Sequence, residues 1–327
     1  MGLTWNKKGL IFRSSDHSEG RPWLNSFAQG PATLIFDDYV RVYFSCRPSP
    51  DEKGMFVSYS SFVDFDRKDL SKIIRVADQP ILPLGGLGCF DEFGTYPVSV
   101  VRKDDQSITA YYGGWTRCES VPFNVAIGCA RSHDGGATFQ KMGQGPIISY
   151  SPDEPFIMSG PKIRKFNDLY MLYYIAGKKW IMHDDRAEPV YTIRMATSKD
   201  GVHWNRENRE LIPPRIEEDE CQASPDVIFH GGMYHMFFCY RKSRNYRGKD
   251  GGYRIGYAYS KDGFSWTRND DHIGITISDN ETDVDGEMVA YPHVFELDGD
   301  IHMFYLGNGV GRDGFCLATL EGNLTCP

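Results

Sequence analysis

Five prolines recur at nearly even spacing along the chain, and each opens the same short pattern of strands. They are Pro31, Pro97, Pro161, Pro225 and Pro292, at intervals of 66, 64, 64 and 67 residues. An interval of this length holds about four short strands with their turns, which is one blade of a β-propeller. The repeat therefore predicts an all-β fold, a five-bladed β-propeller with about four antiparallel strands per blade. In such a ring, equivalent positions of the repeats converge around one central pocket.

Each repeat has the same internal order. An apolar strand follows the proline, then come a polar turn, an aromatic-rich strand such as YMLYYI, and a strand with interleaved small residues such as IGYAYS. Alternation and β-branched or aromatic content favour strands throughout. Three repeats continue into a Ser-x-Asp-Gly turn and an aromatic residue, in SHDGGATF, SKDGVHW and SKDGFSW. We expect these turns to be structural and their aromatic side chains to pack between neighbouring blades.

The last repeat has no fourth strand of its own after Leu320. The N-terminal segment LTWNKKGLIF could supply that strand, which would close the ring and remove its exposed edges. Because the repeats cover nearly the whole chain, we expect residues 1–327 to form a single propeller domain.

Composition indicates which kind of partner the protein binds and in which cellular compartment we expect it. The formal net charge of −8, with scattered Lys and Arg, argues against nucleic-acid binding. No apolar run approaches the roughly 18 residues of a membrane span, and the first residues lack an apolar signal core. The eight cysteines form no Cys-x-x-Cys pair, so we expect buried free thiols in a cytoplasmic protein. The expected partner is a small molecule, and the sequence carries no signal for an oligomeric state.

Acidic residues recur at one position of the repeat. Five positions before the prolines stand Ser26, Glu92, Phe156, Glu220 and Glu287. Glu is not a favoured turn residue, so three glutamates here indicate function, although each alone could be a solvated loop carboxylate. Crowded carboxylates separate in pKa, and glycoside hydrolysis uses one protonated and one ionised carboxyl group. We predict Glu220 and Glu287 as the acid and base, with Glu92 or Asp91 orienting or tuning them.

A second set of equivalent residues stands at the far end of each aromatic strand, and we expect these residues to encircle the pocket as well. The residues at that position are Arg47, Trp115, Gly177, Arg241 and Asn308. Arginine suits a carboxylate or phosphate on the substrate, and Trp offers a face to a sugar ring. The alternative is that Arg47 and Arg241 pair with the glutamates in a charge network.

Polar residues beside the prolines could bind sugar hydroxyls. They are Gln29, Tyr96, Lys162, Tyr291 and His293. The long segment KKWIMHDDRAEP, which contains His183, looks like a loop over the pocket rim. No His-x-x-x-His or comparable pairing occurs, so we expect no cofactor and no tightly held transition metal, although a carboxylate-rich pocket could hold Ca²⁺.

The five blades, the inner-strand carboxylates and the YMLYY and SKDGxxW strings resemble the five-bladed propeller glycosidase superfamily of arabinanases, β-xylosidases, invertases and levansucrases. More narrowly, some stretches are similar to bacterial glycosylase-like proteins associated with surface-polysaccharide gene clusters. Those stretches are RVYFSCR, FDEFGTYP through AYYGGW, NVAIGCARSHDGGATF, YRIGYAYSKDGFSW and EMVAYPHVF. The resemblance covers nearly the whole chain and implies action on a glycan.

The chain departs from the catalytic pattern of the arabinanase and xylosidase relatives. Where they carry an Asp as base on the first blade, this chain has Asn25, Ser26 and Gln29. We therefore predict a glycoside hydrolase-like enzyme with its own carboxylate pair. Two alternatives remain: a mannoside phosphorylase-like or glycosyl-transferring enzyme, in which basic side chains would hold phosphate, and a non-catalytic carbohydrate-binding propeller.

Overall fold

The computed structural model describes residues 2–327, and its strands form five four-stranded antiparallel sheets. The sheets are the blades of a propeller, which confirms the predicted fold class and blade count. The first blade consists of β2 Ser26–Ile35, β3 Tyr39–Arg47, β4 Tyr59–Asp66 and β5 Asp69–Val76, and the second of β6 Gly94–Arg102, β7 Ile108–Arg117, β8 Phe123–Ser132 and β9 Gln140–Lys141. The third consists of β10 Phe156–Phe166, β11 Leu169–His183, β12 Arg186–Ser198 and β13 Asn205–Arg206, and the fourth of β14 Cys221–His230, β15 Met233–Arg241, β16 Arg254–Ser260 and β17 Thr267–Arg268. The fifth consists of β18 Ala290–Leu297, β19 Asp300–Leu306, β20 Phe315–Leu320 and β1 Trp5–Phe12.

Helical structure is confined to short turns. Two 3₁₀ turns cover Ser14–His17 and Asp270–His272, and one helical turn, α1, covers Asn308–Gly311. No helix among residues 2–327 has the length and hydropathy to span a membrane. All eight cysteines are free thiols, but only five are buried as expected, because Cys118 is exposed and Cys89 and Cys326 are half-buried.

The N-terminal strand completes the last blade. Strand β1 pairs antiparallel with β20, from Trp5 opposite Leu320 to Phe12 opposite Phe315. The Trp5 indole also donates to the carbonyl of Ile273 at 2.8 Å, which ties the strand to the fourth blade. The predicted ring closure is confirmed.

The Ser-x-Asp-Gly turns join neighbouring blades, as predicted. Tyr43, Tyr111 and Tyr173 each donate from the hydroxyl to a glycine carbonyl in the following blade's turn, at 2.9, 2.8 and 3.3 Å. The aromatic residue after each turn packs edge-on against the same tyrosine. These pairs are Phe139 with Tyr43, Trp204 with Tyr111 and Trp266 with Tyr173.

The repeated prolines mark a β-bulge at the start of every inner strand. The register shifts fall between Gln29 and Ala32, Thr95 and Val98, Ser159 and Lys162, Ala223 and Asp226, and Ala290 and His293. In four blades the residue before the proline has a φ between 49° and 61°, at Gly30, Gly160, Ser224 and Tyr291. A bulge redirects the side chains around it. The bulges therefore decide which inner-strand residues face the central pocket.

Candidate active site

A cavity of about 470 Å³ lies where the five bulges meet, and every blade contributes to its lining. Its wall is rich in aromatic residues. These are Phe56, Tyr96, Trp115, Phe123, Tyr191, Tyr246, Tyr253 and Tyr291. An aromatic cavity of this size with a few polar groups is typical of a small-molecule site, and aromatic faces suit the C–H surface of a sugar ring.

Six of the predicted binding residues line this cavity. They are Gln29, Arg47, Tyr96, Trp115, Arg241 and Tyr291. Arg47, Trp115 and Arg241 converge because each stands near the end of its blade's second strand, opposite the start of the inner strand. These six residues therefore lie together in one cavity, and their binding roles stay predictions.

The predicted carboxylates do not converge on the cavity. Four blades each hold one carboxylate in a buried ion pair with a basic residue of the outermost strand. These pairs are Asp91 with Lys141, Glu154 with Arg206, Glu220 with Arg268 and Asp285 with Lys7, at 2.5, 2.7, 2.6 and 2.7 Å. A tyrosine of the second strand also donates to the carboxylate in three blades, from Tyr112, Tyr174 and Tyr305. We call each of these pairs a blade latch.

The blade latches correct the expectation that Glu220 and Asp91 reach the pocket. The Glu220 side chain has no exposed surface and accepts hydrogen bonds from Arg268, Gln222 and the backbone N–H groups of Arg215 and Ile216. A carboxylate held this way joins the first strand of its blade to the last. Blade assembly therefore explains Glu220 and its neighbours of the other blades, Asp91, Glu154 and Asp285.

The other two predicted glutamates also lie outside the cavity lining. The Glu92 carboxylate accepts a hydrogen bond from the Gly88 N–H at 3.0 Å within its own loop. Glu287 is half-buried, and its N–H donates to the side-chain oxygen of Asn308 at 2.8 Å. Asn308 therefore organises the loop before β18 and is not part of the cavity wall.

Lys162 and His293 belong to a buried polar cluster around Asp226. The His293 Nδ1 atom lies 2.6 Å from Asp226 Oδ2, while His293 Nε2 accepts from the Thr33 N–H at 2.8 Å. Lys162 donates to the Pro31 carbonyl at 2.9 Å, and Arg164 pairs with Asp226. Neither Lys162 nor His293 lines the cavity, so the structure does not bring them to the predicted sugar site. Burial lowers the pKa of Lys162 to about 8 and that of His293 to about 4.

The neutral His293 predicts a loss of stability in mild acid. Its folded-state pKa of about 4 lies below the ordinary 6.5, so the unfolded chain binds more protons between these values. The free energy of unfolding should fall by up to about 3 kcal/mol from this residue as the pH drops from 6.5 to 4. Urea unfolding across this range, compared with His293→Gln, measures the effect. The free energy of unfolding of the variant should fall less steeply with pH, although not to zero slope, because buried His235 makes a similar but separate contribution. The same pH dependence in wild type and variant would contradict the role of His293.

Glu188 is the only carboxylate among the described residues that line the cavity. Its Oε2 atom accepts from the Tyr246 hydroxyl at 2.6 Å, and its Oε1 atom accepts from Arg247 at 2.8 Å. Burial acts to raise its pKa, but the hydrogen bonds from Tyr246 and Arg247 outweigh burial and hold the pKa below the ordinary 4.5. Glu188 is thus ionised at neutral pH, as a general base or nucleophile must be.

Sequence reasoning missed Glu188 because it has no counterpart in the other repeats. It lies on the β11–β12 hairpin, in which β11 has 15 residues, whereas the second strands of the other blades have 9, 10, 9 and 7. The segment KKWIMHDDRAEP that forms this hairpin does lie beside the cavity, as predicted. Glu188, Tyr246 and Arg186 also line an adjoining polar cavity of about 420 Å³ that includes His183. The length of this hairpin, which the other repeats lack, was the sequence signal that could have pointed to Glu188.

Arg47 and Arg241 line the cavity without a carboxylate partner among the described residues. The Arg241 side chain donates to the hydroxyls of Tyr191 and Tyr253, both at 3.2 Å. Arg47 lies over the Phe27 ring, and its nearest polar partner is the Gln29 side-chain oxygen at 3.4 Å. The alternative of a charge network with the repeated glutamates is therefore not what the structure contains. Within residues 2–327, no group of three or more His, Cys, Asp or Glu side chains could hold a metal ion.

Known proteins resemble the chain over almost its full length. The uncharacterized protein Rv1502 of Mycobacterium tuberculosis is 33% identical over 320 residues, which cover 98% of this chain and 100% of the relative. A solved structure described as a glycoside hydrolase superposes with a TM-score of 0.76 at 17% identity, over 98% of this chain and 93% of that chain. An exo-1,5-alpha-L-arabinanase from a bovine ruminal metagenomic library gives 0.62 at 12% identity, over 90% and 97%. No protein-family model matches the chain.

Proposed function

The chain belongs to the same family as Rv1502 of Mycobacterium tuberculosis, and we propose that it is a glycoside hydrolase acting on a carbohydrate bound in the central cavity. The observation that carries this proposal is one ionised carboxylate, Glu188, in an aromatic cavity of a propeller. The fold shared with solved structures described as glycoside hydrolase and arabinanase supports it.

Glu188 acts in this proposal as the base that activates a water at the anomeric carbon. Tyr246 and Arg247 fix the carboxylate and keep it ionised, while Trp115 and the tyrosines hold the sugar ring. The described lining holds no second carboxyl group, so in this proposal the proton for the leaving oxygen comes from water, and Glu287, one half of the predicted acid–base pair, stays outside the lining. Glu287 is half-buried on the loop before β18, and it is not part of a blade latch. We also keep the proposal of a cytoplasmic enzyme, which the eight free thiols support.

Phosphorolysis is the second candidate, and the two arginines without carboxylate partners favour it. In that reaction phosphate, bound by Arg47 and Arg241, would attack the anomeric carbon instead of water. The ionised state of Glu188 favours hydrolysis, because a phosphorylase of the single-carboxylate type needs a protonated acid.

A screen of aryl glycosides and glycans, each with and without inorganic phosphate, tests the proposal. Hydrolysis predicts release of the free sugar at a rate independent of phosphate. Sugar 1-phosphate appearing only with phosphate would replace hydrolysis by phosphorolysis. Binding of a glycan without turnover under either condition would show a carbohydrate-binding propeller and overturn the enzymatic proposal.

A further inference from the structure

The cavity contains two positive charges that the protein itself does not neutralise. The Arg241 side chain is only 2% exposed, and burial lowers the pKa of Arg47. Glu188 is already engaged by Tyr246 and Arg247. Burying an ion without a counter-ion costs several kcal/mol. An arrangement of this kind is costly in the empty protein and becomes favourable when an anion enters.

Arg241 is held in place by neutral groups only. Its Nε–H lies 3.2 Å from the hydroxyls of Tyr191 and Tyr253, which also bond to each other. Its guanidinium carbon lies 3.6 Å from the centre of the Tyr246 ring, a cation–π contact. These partners fix the guanidinium without cancelling its charge.

Four phenol groups connect the surroundings of the two arginines. Tyr191 and Tyr253 lie beside Arg241, the Tyr253 ring lies 5.6 Å from that of Tyr291, and Tyr291 and Tyr96 line the same cavity as Arg47. Burial raises the pKa of Tyr96 to about 12 and also raises those of Tyr191, Tyr253 and Tyr291. All four are therefore neutral hydrogen-bond donors at neutral pH.

Around Arg47 and Arg241 the cavity wall offers O–H and N–H donors and positive charge, and the one carboxylate of the described lining, Glu188, accepts from Tyr246 and Arg247 and forms no ion pair with either arginine. Oxyanions match such a surface, because guanidinium and phenol groups donate to them by charge-assisted hydrogen bonds. A neutral sugar would leave both charges without a partner.

We propose that Arg47, Arg241 and the phenol row from Tyr96 to Tyr191 form an anion seat, and that the substrate is an acidic glycoside whose carboxylate or phosphate occupies it. This inference rests on the proposed function, since it names the substrate class of the same cavity. The anion is either a sugar carboxylate or a phosphate, and the two sources have the same oxyanion chemistry.

Calorimetric titration with three probes tests the anion seat without requiring turnover. D-glucuronate and inorganic phosphate are compared with D-glucose, a neutral sugar of similar size. We expect at least one anion to bind about 10-fold or more tightly than glucose, since a hydrogen bond to a charged group contributes about 1.5–3 kcal/mol. Preference for glucuronate identifies a sugar carboxylate, and preference for phosphate identifies a phosphate group.

Variants separate the anion seat from general charge effects. Arg47→Met should weaken binding of the preferred anion about 10- to 100-fold. The conservative Tyr96→Phe should weaken this binding less. The exposed control Arg75→Met should leave the affinity for the anion unchanged. If Arg47→Met does not fold, Tyr96→Phe still gives the result. Equal affinity for all three probes, or an unchanged affinity in both cavity variants, would overturn the proposal. Anion binding by a protein that hydrolyses nothing refutes the enzymatic proposal alone, and turnover of neutral glycosides without anion binding refutes the anion seat alone.

Discussion

Replacement of Glu188 by glutamine is expected to lower kcat by about 10²- to 10⁴-fold, the usual contribution of a general base. Glutamine keeps the size of the side chain; its Oε1 can still accept from Arg247 and its Nε2 can donate to the Tyr246 hydroxyl, so the cavity should keep its shape. What is lost is the negative charge that takes a proton from water. Steady-state kinetics on the substrate found by the glycoside screen measure this loss, with KM changing little.

Two glutamates serve as comparisons for this variant. Glu281, which is exposed and paired with Lys249, should tolerate glutamine with unchanged kcat. Glu287→Gln should also leave kcat unchanged, because Glu287 lies outside the cavity lining. In wild-type protein, the acidic limb of the pH–rate profile should lie below pH 4.5, because Tyr246 and Arg247 hold the pKa of Glu188 below that value. Full activity in Glu188→Gln would contradict the role of Glu188.

Replacement of Glu220 by alanine is expected to destabilise the protein by about 3–5 kcal/mol, because it removes one partner of a buried ion pair. Arg268 would keep its pairing with Asp270 at 2.8 Å, but the N–H groups of Arg215 and Ile216 would lose their acceptor. Urea unfolding monitored by tyrosine and tryptophan fluorescence measures the change. Glu281→Ala should have little effect on the same curve.

The same variant distinguishes a blade latch from a catalytic residue. At temperatures where Glu220→Ala remains folded, its kcat should equal that of the wild type. A large loss of kcat at unchanged stability would show instead that Glu220 acts in catalysis, as the sequence alone predicted.

The blade count and the strand order of this protein were predictable from its repeats, because proline spacing and the alternation of apolar and polar residues can be read directly from the sequence. The same reasoning predicted that β1 completes the fifth blade and that Arg47, Trp115 and Arg241 meet, since all three stand near the ends of equivalent strands. It failed for the acidic ring. Whether a carboxylate before the inner strand faces the pocket or the outer strand depends on the partner it finds, here Arg268 for Glu220.

Glu188 illustrates a different reason for failure. A repeat alignment finds functional residues that recur, whereas Glu188 lies on a hairpin extension of the third blade alone. Its partner Tyr246 comes from the loop after β15 in the next blade. Only the three-dimensional arrangement brings these two side chains to one wall of the cavity.

A crystal structure of Glu188→Gln with its glycan substrate bound tests whether the central cavity is the active site. We expect the sugar in the central cavity, its ring against the aromatic wall, its acidic group on Arg47 and Arg241, and the anomeric carbon within about 4 Å of residue 188 or of a water bound to it. A glycan bound outside this cavity, or one whose scissile bond lies beside Glu220 or Glu92 and away from residue 188, would contradict it.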